Sequence, residues 1–150
     1  MPSITTLLPK LTADFPTLNF AAGKESHWDP TTQTVYYLGG DVEQLLHELS
    51  HAVLGHAGYR RDVELVAMER DAWEKAREVA PTYGVTITDD AVQNHLDTYR
   101  DWLHDRSECP SCRATGRQTA GKAYHCDACG QDWQVNEARM CGLKRYKSSN

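Results

Sequence analysis

Residues 41–56 read DVEQLLHELSHAVLGH, and this stretch decides how the chain is organised. Asp41 can accept from backbone N–H groups ahead of it and Gln44 stands three positions on, the pairing that opens an α-helix. Gly39-Gly40 ends the extended run before it, so a helix is expected from Asp41 to about Gly55. Residues four apart share a helix face, which sets His47 one turn from His51. Two imidazoles so placed can grip one metal ion, and Glu48 beside them reaches a water on that ion without occupying a coordination position. Leu45, Leu46, Leu49, Ala52, Val53 and Leu54 make the rest of the helix apolar and call for its burial. Buried His and Glu side chains need partners or a metal.

A catalytic metal site usually has three protein ligands and one open position, so a third ligand is required. At about 100° per residue, a helix continued to His56 carries that side chain to about 180° from His47, the far side of the same helix. The chain has Leu54 and Ala57 where a Gly and a His would complete the HExxHxxGxxH pattern. A second helix is expected from about Asp62 to Val79, stopped by Pro81 and Gly84. With Leu65 set at 0°, the apolar arc holds Leu65, Val66, Met68, Ala72, Trp73, Ala76, Val79 and Ala80, with Glu69 the one charged residue on it, at about 40°. A lone carboxylate there is costly unless it is salt-bridged or bound to metal, which makes Glu69 the expected third ligand. Glu64, at about 260°, points to the charged face and is the weaker candidate.

HELSHAVLGH followed by a helix carrying Glu69-Arg70-Asp71-Ala72 resembles the gluzincin class of zinc peptidases, and most of all the ImmA/IrrE-like family, which shares the HELxHxxLGH string and a β-hairpin ahead of the active-site helix. The resemblance covers about residues 17–80. It implies a zinc-dependent peptidase with zinc on His47, His51 and Glu69 and with Glu48 as general base. The layout is also similar to that of SprT-like, DNA-associated proteases, which join HExxH to a zinc ribbon. Those take a third histidine from downstream, whereas this chain has no His between His56 and His95.

The expected chemistry is hydrolysis of a peptide bond by a metal-activated water, with Glu48 moving the proton. Tyr59, Tyr83 or His95 could supply an oxyanion donor. Upstream, the β-prone runs Thr17–Trp28 and Thr34–Leu38 flank the turn Asp29-Pro30-Thr31-Thr32 and read as an N-terminal antiparallel hairpin. Val35–Leu38 could act as an edge strand pairing with an extended peptide, or be an ordinary core strand. A short amphipathic helix is expected at Thr5–Phe15 and a third long helix from about Asp89 to His104, capped by Thr88 or Asp89. Trp73 reads as core.

From Ser107 the composition changes. Cys109-Pro-Ser-Cys112 and Cys126-Asp-Ala-Cys129 are two CxxC knuckles with 13 residues between them, spaced to converge on one tetrahedral zinc. Four thiolates leave no open position, so this second zinc is structural and supplies most of the folding free energy of a segment with little apolar content. Cys141 is expected to be a free thiol, and Lys147–Asn150 to lack regular structure.

The chain of 150 residues carries a net charge of −5, which excludes a uniformly basic, polyanion-coating protein. Residues 1–106 hold nine basic and seventeen acidic side chains (net −8), and residues 107–150 seven and four (net +3). A zinc–thiolate centre contributes about −2, which reduces the +3 to about +1 and leaves nucleic acid the lesser expectation beside a protein or peptide substrate. The N-terminus lacks a signal-peptide pattern and no run is long enough to span a bilayer, so a cytoplasmic location is expected, with cysteines as metal ligands. The expected fold class is α+β: a zincin-like helical domain at 1–106 and a zinc ribbon with its tail at 107–150. A non-catalytic zinc-containing binding or regulatory module is the alternative function.

Overall fold

The computed structural model describes residues 2–139 and 142–148, so Cys141 lies outside the described residues. The fold is α+β, with four α-helices and two sheets among those residues. The chain divides into two compact units, Met1–Gly58 with Met68–Val92, and Tyr59–Ala67 with Gln93–Asn150.

In the first unit, α1 (Ile4–Asp14) is capped by Ser3, whose hydroxyl accepts from the Thr6 N–H at 3.2 Å, and buries Leu7 and Leu11. Three strands follow: β1 (Asn19–Ala22), β2 (His27–Asp29) and β3 (Thr34–Tyr37). β2 and β3 form the antiparallel hairpin, with the Thr31 N–H bonded to Asp29 Oδ1 at 2.9 Å in the turn. The first β-prone run is not one hairpin arm, however. Gly23–Ser26 breaks it, and β1 crosses to pair with β3 in parallel, giving the order β1-β3-β2. β3 is therefore the central strand, so of the two alternatives for Val35–Leu38 the core strand holds, and the edges of the sheet are β1 and β2.

The helix α2 (Val42–Val53) starts as its sequence dictates, with Gln44 N–H on Asp41 Oδ1 at 3.0 Å. Its end has more consequence for the site. Gly55 takes a left-handed φ of 71°, its N–H bonds Ala52 O at 3.1 Å, and the His56 N–H bonds His51 O at 3.0 Å. This is the glycine-terminated helix ending that reverses the chain. The helix α3 (Asp62–Val79) runs into a 3₁₀ turn at Ala80–Tyr83, which Gly84 ends with φ 71°. Ala72, Trp73, Ala76 and Ala80 are fully or almost fully buried on it.

In the second unit, the later part of α4 (Asp89–Ser107) leads into a four-stranded antiparallel sheet in sequential order: β4 (Arg117–Ala120), β5 (Ala123–His125), β6 (Asp132–Val135) and β7 (Arg145–Lys147). Lys147 pairs with Trp133 and the Ser148 N–H bonds Asp132 O at 2.9 Å, so this part of the tail is ordered into the sheet, against expectation. The small core is Cys109, Tyr124, Cys126, Trp133 and Val135. Trp133 lies so close to Gly116 that an added Cβ would collide with its ring and come within 2.8 Å of His125 O.

This unit extends beyond the cysteine-rich segment. Arg106 and Asp62 are 5% and 2% exposed and paired, Nε to Oδ2 at 2.7 Å. Arg106 also donates to Asn136 O at 2.8 Å, Tyr124 donates its hydroxyl to Asp62, and the Trp133 indole donates to Arg106 O at 2.9 Å. The composition change at 107 does not register this network, because its charged members lie outside the ribbon sequence.

Candidate metal centres

The first centre is built by α2 and α3 within the first unit. One turn of α2 brings His47 Nε2 and His51 Nε2 to 3.2 Å of one another. Glu69 reaches both from α3, Oε2 to His47 Nε2 at 2.9 Å and Oε1 to His51 Nε2 at 3.1 Å. A tetrahedral ion with ligand bonds near 2.05 Å requires donor–donor separations of roughly 3.3 Å, close to this triangle. Two imidazole lone pairs that converge beside a carboxylate are reconciled by a cation or shared protons, and all three side chains are nine-tenths or more buried. The donor set therefore fits a metal ion.

Glu48 stands just outside the triangle, its Oε1 4.0 Å from His47 Nε2. It groups with His47 and His51 as a potential metal-ligating set. Burial pushes its carboxyl up to about 7; the negative charge of Glu69 adds to the shift, while His51 and a hydrogen bond from the Trp28 backbone N–H oppose it. Burial acts on Glu69 in the same direction but is outweighed by hydrogen bonds and charge from His47 and His51, which hold its carboxyl down at about 2. Two neighbouring carboxyls thus have widely separated proton affinities. Glu64 is placed elsewhere: it is exposed, and its carboxylate accepts from the Arg60 N–H at 3.1 Å.

Three further side chains frame this centre. Trp73, one turn after Glu69, stacks its indole on the His47 ring with centroids 4.1 Å apart, so it is both core and site. His56 Nδ1 lies 2.8 Å from His51 Nδ1. Trp28, on β2, donates its indole N–H to His56 O at 2.8 Å and its backbone N–H to Glu48. A wheel extended through His56 sends it to the wrong side because the helix stops at Val53. The Leu54-Gly55 pair was the available signal, since a glycine just past a helix commonly turns the chain back. Of the oxyanion candidates, Tyr83 has its hydroxyl on Asp14 Oδ2 at 2.6 Å, and Tyr59 and His95 belong to the other compact unit.

The second centre lies in the second unit. Cys109, Cys112, Cys126 and Cys129 are free thiols whose sulfurs all lie within 4.8 Å of one another. The Cys109–Cys129 and Cys112–Cys126 Sγ separations are 3.6 and 3.5 Å. Bonds of 2.3 Å to a tetrahedral ion require about 3.75 Å, so this set also fits a metal. The two knuckles are built alike: Arg113 N–H bonds Cys109 O at 2.9 Å and Gly130 N–H bonds Cys126 O at 2.8 Å, with left-handed φ of 66° and 79°. Burial raises the Cys109 thiol, but backbone N–H groups of Cys112 and Ser111 overcome it and bring it to about 6; at Cys112 and Cys129 backbone N–H groups also lower the thiol but are outweighed by burial and the neighbouring sulfurs, which push both up.

No protein-family model matches the chain, and no curated protein or solved structure matches it. Among the described residues, no helix is long and apolar enough to cross a membrane.

Proposed function

We propose that this chain is a zinc-dependent peptidase of gluzincin type, with a zincin-like domain holding zinc on His47, His51 and Glu69 and a ribbon holding a structural zinc on Cys109, Cys112, Cys126 and Cys129. The observation that carries this reading is the convergence of two Nε2 atoms and one carboxylate within 3.2 Å, with the Glu48 carboxyl beside them. Zinc, when bound, supplies Lewis acidity toward water and a carbonyl oxygen.

Glu48 supplies the proton traffic. Its carboxylate takes a proton from the attacking water as oxygen bonds to the carbonyl carbon, then delivers it to the amide nitrogen as the C–N bond breaks. The Trp28 backbone N–H, bonded to this carboxylate, fixes its direction. An extended substrate is best received along the outer edge of β2, the strand that carries Trp28. The four thiolates close their coordination sphere and stabilise the ribbon, which suits a reducing, cytoplasmic setting.

Zinc content and hydrolysis of an unstructured protein substrate test the reading. Wild type should hold two zinc equivalents. Glu48→Gln should keep both and lose about 10²-fold or more in kcat, and Glu69→Ala should lose one equivalent and the activity. Undiminished hydrolysis by Glu48→Gln would remove the peptidase assignment.

A further inference from the structure

His56 contacts the metal-site triangle without belonging to it. Its Nδ1 lies 2.8 Å from Nδ1 of His51, with the ring planes 61° apart. Nitrogen atoms at that distance are hydrogen-bonded, so one of the two carries a proton. If His51 presents a bare Nε2 to a cation, its single proton sits on Nδ1 and His56 accepts. If His51 directs an Nε2 proton at Glu69, 3.1 Å away, its Nδ1 is bare and His56 donates. A carboxylate or a carbonyl could only accept; a neutral imidazole does either by exchanging tautomers, with no change in net charge.

The chain also fixes where His56 stands. Gly55 in its left-handed turn brings the backbone round, the His56 N–H is bonded to His51 O at 3.0 Å, and the Trp28 indole clamps His56 O at 2.8 Å. Residue 56 is thus held at both backbone groups, with its ring directed at the outer nitrogen of His51.

We infer that His56 is a positioning residue that fixes the ring orientation of His51 and satisfies its Nδ1 in either tautomer, with a metal bound or without one. This rests on the metal-site reading proposed above, and it assigns His56 no contact with substrate.

The test uses the full chain and zinc itself. Affinities of both sites are measured by chelator competition for wild type, His56→Leu and His56→Asn, with thermal unfolding of each to register structural damage. Leu, which can neither donate nor accept, should weaken the histidine–glutamate site by about 10- to 100-fold and leave the thiolate site within about twofold. Asn, whose amide can turn either an oxygen or an NH₂ toward His51, should restore the affinity to within a few-fold of wild type. A His56→Leu affinity equal to wild type would overturn the inference, as would equal weakening by Leu and Asn, which would make His56 a packing residue. A wild-type chain that binds zinc only through its cysteines would instead remove the metal-site reading, and this inference with it.

Discussion

The imidazole of His47 lies against the indole of Trp73, with centroids 4.1 Å and planes 16° apart. Both neighbours of that imidazole on α3 are set by one helical turn, since Glu69 meets its Nε2 and Trp73, four residues on, covers its face. The stack holds the ring in the plane in which Nε2 points at the triangle.

Trp73→Ala is therefore expected to have two effects. Removing a fully buried indole should cost about 3–5 kcal/mol of unfolding free energy, and freeing the His47 ring should weaken zinc at the histidine–glutamate site by about tenfold or more. Trp73→Phe, which keeps a flat face, should recover most of the zinc affinity. If Ala and wild type bind zinc alike, the stack only fills space.

The raised Glu48 carboxyl makes the zinc-free protein pH-sensitive. The folded state holds this proton up to about pH 7, whereas the unfolded chain releases it near the ordinary value of 4.5. Fewer protons are bound on unfolding, so stability falls as pH rises from about 4.5 to 7, by an amount of order 3 kcal/mol. Glu69 has the opposite sign and a lower window: its stabilisation is present above 4.5 and lost as pH falls toward 2. Urea midpoints of chelated wild type and Glu48→Gln at pH 5 and 8 separate these effects. The difference between the two proteins should grow with pH in favour of Gln, and a constant difference would contradict the assignment.

Asp62→Asn should be among the more damaging single substitutions in the second unit. It leaves Arg106 buried without its anion and removes the acceptor arrangement seen by Tyr124. Breaking a buried pair by losing one partner costs about 3–5 kcal/mol. Combining it with Arg106→Gln should cost clearly less than the sum of the two single changes in denaturant unfolding, whereas strict additivity would mean that the residues act independently.

Gly116→Ala should destabilise the ribbon by about 1–3 kcal/mol through overpacking. The new methyl meets the Trp133 ring and His125 O. Gly121→Ala is the control, because nothing lies within 4 Å of a Cβ there. Thermal unfolding of the zinc-loaded proteins should separate the two, and equal midpoints would show that Trp133 can move aside.

Features that depend on nearby residues were legible in the sequence. The Asp41 cap, the His47–His51 spacing and the span of α3 are local consequences of side-chain chemistry and the helical repeat, and the wheel singled out Glu69 on an otherwise apolar stripe. The parallel partner of β3 was not legible, since β1 reaches it across a break and no turn motif announces a parallel pairing. The location of His56 escaped because a wheel assumes the helix goes on, and one left-handed glycine ends it. The Asp62–Arg106 pair was hidden for another reason: 44 residues separate two charges that read as ordinary helix-surface residues until both are seen buried.

The two cysteine knuckles differ in one respect that matters for the life of the protein. In each, the first sulfur donor, Cys109 or Cys126, is wholly buried, and the second, Cys112 or Cys129, is exposed. An oxidant or a competing chelator therefore meets one sulfur of each knuckle while the other stays shielded by the Tyr124–Trp133 core. Access to the four-cysteine cluster is thus asymmetric, with the outer sulfur of each knuckle open to solvent and the inner one sealed.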